Sequence, residues 1–348
     1  MRVVEVEEVD PHDGAAFDAW FAVIQATDAE RWPDKPGWQR VERLAMALDD
    51  DGPEEHRLLV ARSGAGGAGG AGGAVCGVAD IELYRRENLR LARAELRVLP
   101  AHRRRGIGSS LLAAIEQIAE ATGRTELSGM DETPVRAAHY EDAAGPFAVR
   151  HGFTSAQVME RRELRLPLSR RHARALADSP MSRQPGYTLI TLVDRWPDEL
   201  IEDRCELGRR MSTDIPAGEQ DLEEEVWDEA RVRQIEAAFA AQNRAKVITV
   251  ARHDDSGRLA GFTEIAVPLG APESVWQHDT LVMREHRGHG LGFAMKVANL
   301  AALEQRFAAA RSVSTWNAAE NEHMIAVNDA MGFEVVARAR NWLKKLGS

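Results

Sequence analysis

The chain has 348 residues, 44% of them hydrophobic, with 44 Lys and Arg against 55 Asp and Glu, a formal net charge of −11 and two cysteines. That length allows two domains, each with its own core, and the negative balance argues against a nucleic-acid surface. Cys76 and Cys205 are too isolated to build a metal site or to imply a bridge. No window approaches the roughly 18 uncharged apolar residues of a membrane span. The start, Met1-Arg2-Val3-Val4-Glu5-Val6-Glu7-Glu8, is charged and has no signal-peptide core, so a soluble, cytoplasmic protein is expected, with neither membrane nor nucleic acid as partner. An acidic field favours a cationic partner such as an amine.

Residues 1–9 alternate apolar and charged side chains, the period of a half-buried strand. Residues 15–24 and 38–48 read as two helices, parted by Trp32-Pro33-Asp34-Lys35-Pro36-Gly37. Strands are predicted at 56–61 and 74–83, and the glycine- and alanine-rich run 64–73 between them reads as a loose hairpin tip. A fourth strand, 91–99, leads through a glycine turn into a helix reaching about Ala121. A strand at 125–130, a helix ending near His151 and closing strands over 154–166 finish the first half. Residues 169–184 are basic, contain Ser179-Pro180 and show no strand pattern, so they read as a linker.

The second half opens with a strand at 187–193. A helix is predicted over 197–210, with Pro197 in the first turn, where its missing N–H costs nothing; Ser212-Thr213-Asp214-Ile215-Pro216 then interrupts it. The acidic run 219–229 leads into a helix over 231–241 and loads its N-terminus with negative charge. Strands follow at 246–253, 258–267 and 274–283, then a glycine turn, an apolar helix over 293–307, a strand at 312–317, a helix over 323–331 and a last strand at 334–344.

One motif occurs twice. Val98 is followed by Arg103-Arg104-Arg105-Gly106-Ile107-Gly108, and Val282 by Arg287-Gly288-His289-Gly290-Leu291-Gly292, each at a strand-to-helix turn. Arg103 and Arg287 stand 184 positions apart, the same offset relates Gly106 to Gly290 and Gly108 to Gly292, and each copy is followed by a Gly-Phe pair, Gly152-Phe153 and Gly332-Phe333. The chain is a duplication. Glycines at such a turn let several backbone N–H groups converge at a helix N-terminus, an arrangement that attracts phosphate.

With these residues the sequence resembles the GCN5-related N-acetyltransferases (GNAT), whose pattern is a valine, four residues, Arg or Gln, two residues, then Gly-x-Gly or Gly-x-Ala. The resemblance spans almost the whole chain and implies a tandem architecture shared with mycothiol synthase. The expected fold is α/β (α+β): two tandem GNAT folds, each a mixed, mostly antiparallel central sheet flanked by helices. The expected bounds are an N-terminal repeat over 1–168, a linker over 169–185 and a C-terminal repeat over 186–348.

The resemblance implies acetyl-CoA as co-substrate, its pyrophosphate on the residues from Arg103 to Gly108 and from Arg287 to Gly292. It also implies that the backbone N–H at Val98 or Val282 faces the thioester carbonyl, that the first two helices of a repeat overhang the acceptor groove, and that Asn321 touches the pantetheine arm, with Glu141 at that place in the first repeat. Asn317 is a further polar candidate at its strand end. Strand alternation places Thr280, His278 and Trp276 on the side of Val282. His278 is the candidate general base there, while Leu96, Ala94 and Ala92 leave the first repeat with nothing titratable on the corresponding face. Glu264, aligned with Asp80, is the reserve base, and both carboxylates are expected to face outward. Where the family often has a proton-donating tyrosine, four residues before the glycine of Gly-Phe, this chain has Ala148 and Asn328, and an amide cannot supply a proton.

The expectation is an acetyl-CoA-dependent N-acetyltransferase acting on a primary amine of a small molecule by direct attack in a ternary complex, as a monomer or homodimer. The C-terminal repeat is expected to be catalytic and the N-terminal repeat degenerate, though still able to hold CoA. The alternative is a non-catalytic acyl-CoA-binding sensor or scaffold. A nucleotide-binding oxidoreductase is disfavoured, because no acidic ribose ligand follows either turn at the roughly 20-residue Rossmann spacing.

Overall fold

A computed structural model describes residues 4–63, 73–136, 140, 142–214 and 222–347. The expected hairpin tip up to residue 72, Glu141, Ile215, Pro216 and the start of the acidic run, residues 219–221, lie outside the described residues. The chain divides into two compact units: residues 1–157 with 339–348, and residues 158–338.

In the N-terminal unit, β1 (Val4–Val9), β2 (Glu54–Ser63), β3 (Ala74–Tyr84), β4 (Leu91–Val98) and β5 (Glu126–Pro134) lie side by side in that order. Their pairings are antiparallel except β4 with β5, which is parallel over Leu91–Arg93. Two helices, α1 (Gly14–Arg31) and α2 (Arg40–Ala47), lie on one face. Asp13 starts α1 by accepting hydrogen bonds from Ala15 N at 3.0 Å and Ala16 N at 3.2 Å, the role an N-cap carboxylate fills. Phe17, Trp20, Phe21 and Ile24 then pack on Leu58, Val60 and Val78. The opposite face carries α3 (Ile107–Ala121), whose Ile107, Leu111 and Ile115 pack on Leu59, Ala79, Ile81 and Ala92. The helix α4 (Ala144–Arg150) follows β5.

The C-terminal unit repeats the plan. Its sheet holds β7 (Tyr187–Val193), β8 (Arg244–His253), β9 (Leu259–Pro268), β10 (Ser274–Val282) and β11 (Ser312–Ala318) in order, with β10 and β11 parallel over Ser274–Trp276. Two helices, α6 (Ile201–Asp214) and α7 (Glu229–Ala241), cover one face through Ile201, Cys205, Leu207 and Val232. The other face receives α8 (Leu291–Arg306), where Phe293, Leu300 and Leu303 meet Val247, Ile265 and Val275. The helix α9 (Glu322–Met331) follows β11. All ten residues of β9 are buried, because a central strand covered on both faces has no water side. Among the described residues no helix is long and apolar enough to cross a membrane.

The bounds expected from the sequence differ from this division. The strand β6 (Thr154–Arg165) pairs antiparallel with β11, from Met159 opposite Ala318 to Arg165 opposite Ser312, and from Val158 onward it belongs to the C-terminal unit. The last strand, β12 (Glu334–Lys345), belongs from Ala339 onward to the N-terminal unit. Backbone hydrogen bonds do not read sequence, so the pattern of a strand says nothing about which sheet receives it. The expected linker is partly helical: α5 (Arg170–Ala177) is capped by Ser169 Oγ, which accepts from His172 N at 3.1 Å, and Leu176 enters the core with Leu164 and Leu166. The second-half helix also runs on to Asp214, past Ser212, where an interruption was expected.

Candidate functional site

In both units the strand bearing the motif valine parts from its parallel neighbour. β4 pairs with β5 only at its start, over Leu91–Arg93, and β10 with β11 over Ser274–Trp276, so a cleft opens toward Val98 and toward Val282. Successive N–H groups along a strand point to opposite edges. Leu99 N donates to Cys76 O at 3.0 Å and Met283 N to Ala260 O at 2.9 Å, so the N–H groups of Val98 and Val282 point the other way, into the clefts.

The two glycine turns share a construction. Each opens with one 3-10 turn, Pro100–His102 or Arg284–His286. Each motif arginine then ties the turn to the strand end: Arg103 Nε donates to Val98 O, and Arg287 Nε to Val282 O, both at 3.1 Å. A carboxylate from the first helical layer holds the other end of each guanidinium. Glu30 of α1 takes Arg103 in a forked pair, 2.8 Å in its longer arm; Asp214 at the end of α6 takes Arg287 at 3.3 Å and Arg284 at 3.0 Å. Gly106 (φ +86°) and Gly290 (φ +71°) are in the left-handed region that glycine tolerates. Ile107 and Leu291 are buried and anchor the helix starts, while Arg104, Arg105, Gly288 and His289 are exposed. Gly108 and Gly292 lie in the first turns of α3 and α8.

A cavity of about 550 Å³ opens from the turn of the N-terminal unit. Val98, Arg103, Arg104, Gly106, Gly108, Leu112, Phe147 and Ala148 line it, with Asp131, Tyr140 and Trp342. Asp131 Oδ2 accepts from Trp342 Nε1 and Oδ1 from Arg340 N, both at 3.1 Å. Its burial pushes the carboxyl above its ordinary value, against the pull of Trp342 and Arg340.

The expected face of His278 is corrected by a β-bulge. Gln277 pairs with Ile265 and Thr280 with Thr263, so His278 and Asp279 together oppose Glu264. Thr280 stays on Val282's side, its Oγ1 sharing a hydrogen bond with Thr263 Oγ1 at 2.7 Å, and Gln277 Nε2 donates to the same Thr263 Oγ1 at 3.0 Å. His278 turns to the opposite face, its ring centroid 5.8 Å from that of Phe239 on α7. Trp276 lies on that face also, stacked on Trp316 at 4.9 Å.

Glu264 and Asp80 are buried, which corrects the expectation that they face outward. A buried carboxylate needs a cationic partner. Glu264 has Lys246 Nζ at 3.4 Å. Its burial would raise it, but Lys246, Arg204 and His278 outweigh that and hold the carboxyl below its ordinary value. Asp80 accepts from Arg43 Nη2 at 2.9 Å and meets His56 Nδ1 at 3.0 Å. Part of His278 meets solvent, yet the protein crowded around it lowers its pKa to about 4, with Glu264 opposing and Lys246 and Arg244 adding to the shift. Asp279 is pushed up to about 6 by desolvation and by Glu264. The N-terminal unit has its own charged cluster on this face: Glu95 lies between Arg43 at 3.0 Å and Arg97 Nε at 2.7 Å.

The three predicted asparagines have partners within the protein. Asn321 caps α9, its Oδ1 accepting from Met324 N at 3.2 Å. Asn328 Nδ2 donates to Asn317 Oδ1 at 2.6 Å, and Asn328 Oδ1 accepts from Lys296 Nζ at 2.8 Å. Sequence reading missed Lys296, whose only sign was a charge inside an apolar helix. It also missed Glu30 and Asp214, which no spacing links to the turns.

The family model for the acetyltransferase (GNAT) domain matches residues 54–155, and that for the acetyltransferase (GNAT) family matches residues 213–333. A tandem GNAT protein from the clavulanic acid biosynthesis pathway, in its structure without AcCoA, is 28% identical, with a TM-score of 0.79 over 99% of each chain. A GCN5-related N-acetyltransferase from Sphaerobacter thermophilus, 16% identical, shares the fold with a TM-score of 0.66 over 99% of this chain and 96% of its own. A search of curated proteins finds no match. With two matched domains, two glycine turns of one construction and a tandem structural neighbour, the chain belongs to the GNAT acetyltransferases as a tandem-repeat member.

Proposed function

We propose that the protein transfers the acetyl group of acetyl-CoA to a primary amine of a small molecule, by direct attack in a ternary complex, with the co-substrate held in the N-terminal unit. The observation that carries this reading is the cavity of about 550 Å³ that joins the Arg103–Gly108 turn to the parted β4 and β5. Its residues fit the co-substrate. Backbone N–H groups at the start of α3, with Arg103 and Arg104, suit a pyrophosphate; Leu112, Phe147 and Ala148 offer an apolar passage for the arm; the N–H of Val98 points into the cleft as an oxyanion donor.

On the face under α1 and α2, Glu95 lies three residues before Val98. Burial works to raise its carboxyl, but Arg97 and Arg43 hold it well below the usual carboxylate range, so it attracts and orients an ammonium rather than taking its proton. Tyr140 lines the same cavity as Ala148 and supplies a phenol to its wall. Positioning does most of the work in such a transfer. Catalysis was expected in the C-terminal repeat, on His278; we propose the N-terminal unit instead, on the strength of this cavity. The pathway of the 28% identical neighbour supports a small-molecule acceptor.

The test is calorimetric titration of acetyl-CoA, followed by thiol release with a panel of small primary amines. Binding with amine-dependent thiol release is the expected result. Binding without turnover on any amine favours the acyl-CoA sensor, and no binding ends both readings.

A further inference from the structure

We infer that the C-terminal unit takes no acyl-CoA because its own chain fills both ends of the corresponding site, so that each protein molecule carries one acyl-CoA, in the N-terminal unit. This rests on the proposed function for the N-terminal site and adds what the second site does.

The two units can be compared position by position. At the turn, a Cβ placed on Gly106 meets nothing within 4 Å. On Gly290 it would stand 3.1 Å from Gln184 Nε2 and 3.3 Å from Met181 O. The segment over the second turn is held in place by its own bonds. Ser179 Oγ accepts from Met181 N at 3.3 Å, Ser182 Oγ donates to Leu176 O at 2.7 Å, and Gln184 Nε2 donates to Met181 O at 2.5 Å. Just after it, the Tyr187 hydroxyl meets His286 Nδ1 at 2.9 Å, tying the start of β7 to the turn.

The other end is closed by side chains. Leu112 and Ala148 line the N-terminal cavity. Lys296 stands 184 positions after Leu112, the offset of the glycine turns, and Asn328, like Ala148, lies four residues before the glycine of Gly-Phe. Lys296 and Asn328 are buried and bonded to each other at 2.8 Å, and Asn328 passes the chain to Asn317 at 2.6 Å. What is a passage between α3 and α4 is a polar bridge between α8 and α9. An incoming pantetheine arm must break it and strand a buried lysine among apolar groups, while an incoming pyrophosphate must lift the 181–184 segment. An orphaned buried cation alone opposes binding strongly, and burial already works against the charged form of Lys296.

The experiment is calorimetric titration of acetyl-CoA into the full chain, with hydrogen exchange measured on the bound and free protein. One acetyl-CoA per chain, with slowed exchange at residues 103–108 and unchanged exchange at residues 287–292, is the expected result. Two per chain, or slowed exchange at 287–292, overturns the inference while leaving the proposed function standing. No binding at all overturns both. A Gly106→Glu variant, checked for unchanged exchange in the C-terminal unit, should lose all binding; residual binding with slowed exchange at 287–292 also overturns the inference.

Discussion

Lys296 donates to Asn328 across 2.8 Å in the interior of the C-terminal unit, where the matching pair in the N-terminal unit, Leu112 and Ala148, lines a cavity. Desolvation by burial is the single cause that lowers this lysine, to about 7 from an ordinary 10.5. The sign for stability follows from proton counting. Between those values the unfolded chain holds a proton that the folded chain has released, so stability rises with pH across that window. It rises by up to about 1.4 kcal/mol per pH unit from this group. Lys296→Met removes the dependence. Urea unfolding at pH 7 and pH 10 should show the variant gaining most at the lower pH, and an unchanged pH slope would contradict the burial argument.

Gly77 and Gly261 stand directly opposite Val98 and Val282 in the sheet. A methyl on Gly261 would overlap the Leu281 carbonyl oxygen and press Met295 Cε at 3.1 Å, and backbone does not yield as a side-chain tip does. Gly261→Ala is expected to destabilise the C-terminal unit by about 2–3 kcal/mol. Gly77→Ala meets mainly Ile107 Cγ2 at 2.9 Å and Leu111 Cδ1 at 3.0 Å and should cost less, about 1–2 kcal/mol. Thermal unfolding of the two variants checks the order.

Arg103 bonds both Val98 O and Glu30. Removing it in Arg103→Ala takes away a charged donor at the turn and the tie that shapes it. Acetyl-CoA affinity should fall about tenfold or more, the worth of one charge-assisted hydrogen bond, with a smaller salt dependence than the parent. Equal affinity in calorimetry would mean that the pyrophosphate is not held there.

His278 is expected to titrate near 4 rather than at its ordinary 6.5. A folded-state value below the unfolded one means that this group's contribution is fully present above about 6.5 and is lost as pH falls toward about 4. Lys246→Met removes one of the lowering charges, so the midpoint should rise. Imidazole NMR shifts over pH 3–8 measure both, and a midpoint near 6.5 in the parent would show the ring to be fully hydrated.

Sequence alone determined the duplication, the two glycine turns, most of the helices and strands, and the valines whose N–H groups enter the clefts. Those features are local: a turn at a glycine, an alternation or a helical stripe is written in neighbouring residues. Tertiary structure decided the rest. One extra residue in β10 against β9 carried His278 across the sheet, because a bulge is a property of two strands and not of one. Glu264 and Asp80 were drawn inside by Lys246 and Arg43, partners separated from them in sequence. Strands β6 and β12 took places that no pattern assigns, since backbone pairing is blind to side chains. Whether the long and the short helix of a unit face each other across a cavity wall, as at Leu112 and Ala148, or through a buried hydrogen bond, as at Lys296 and Asn328, has meaning only once packing brings the two helices together.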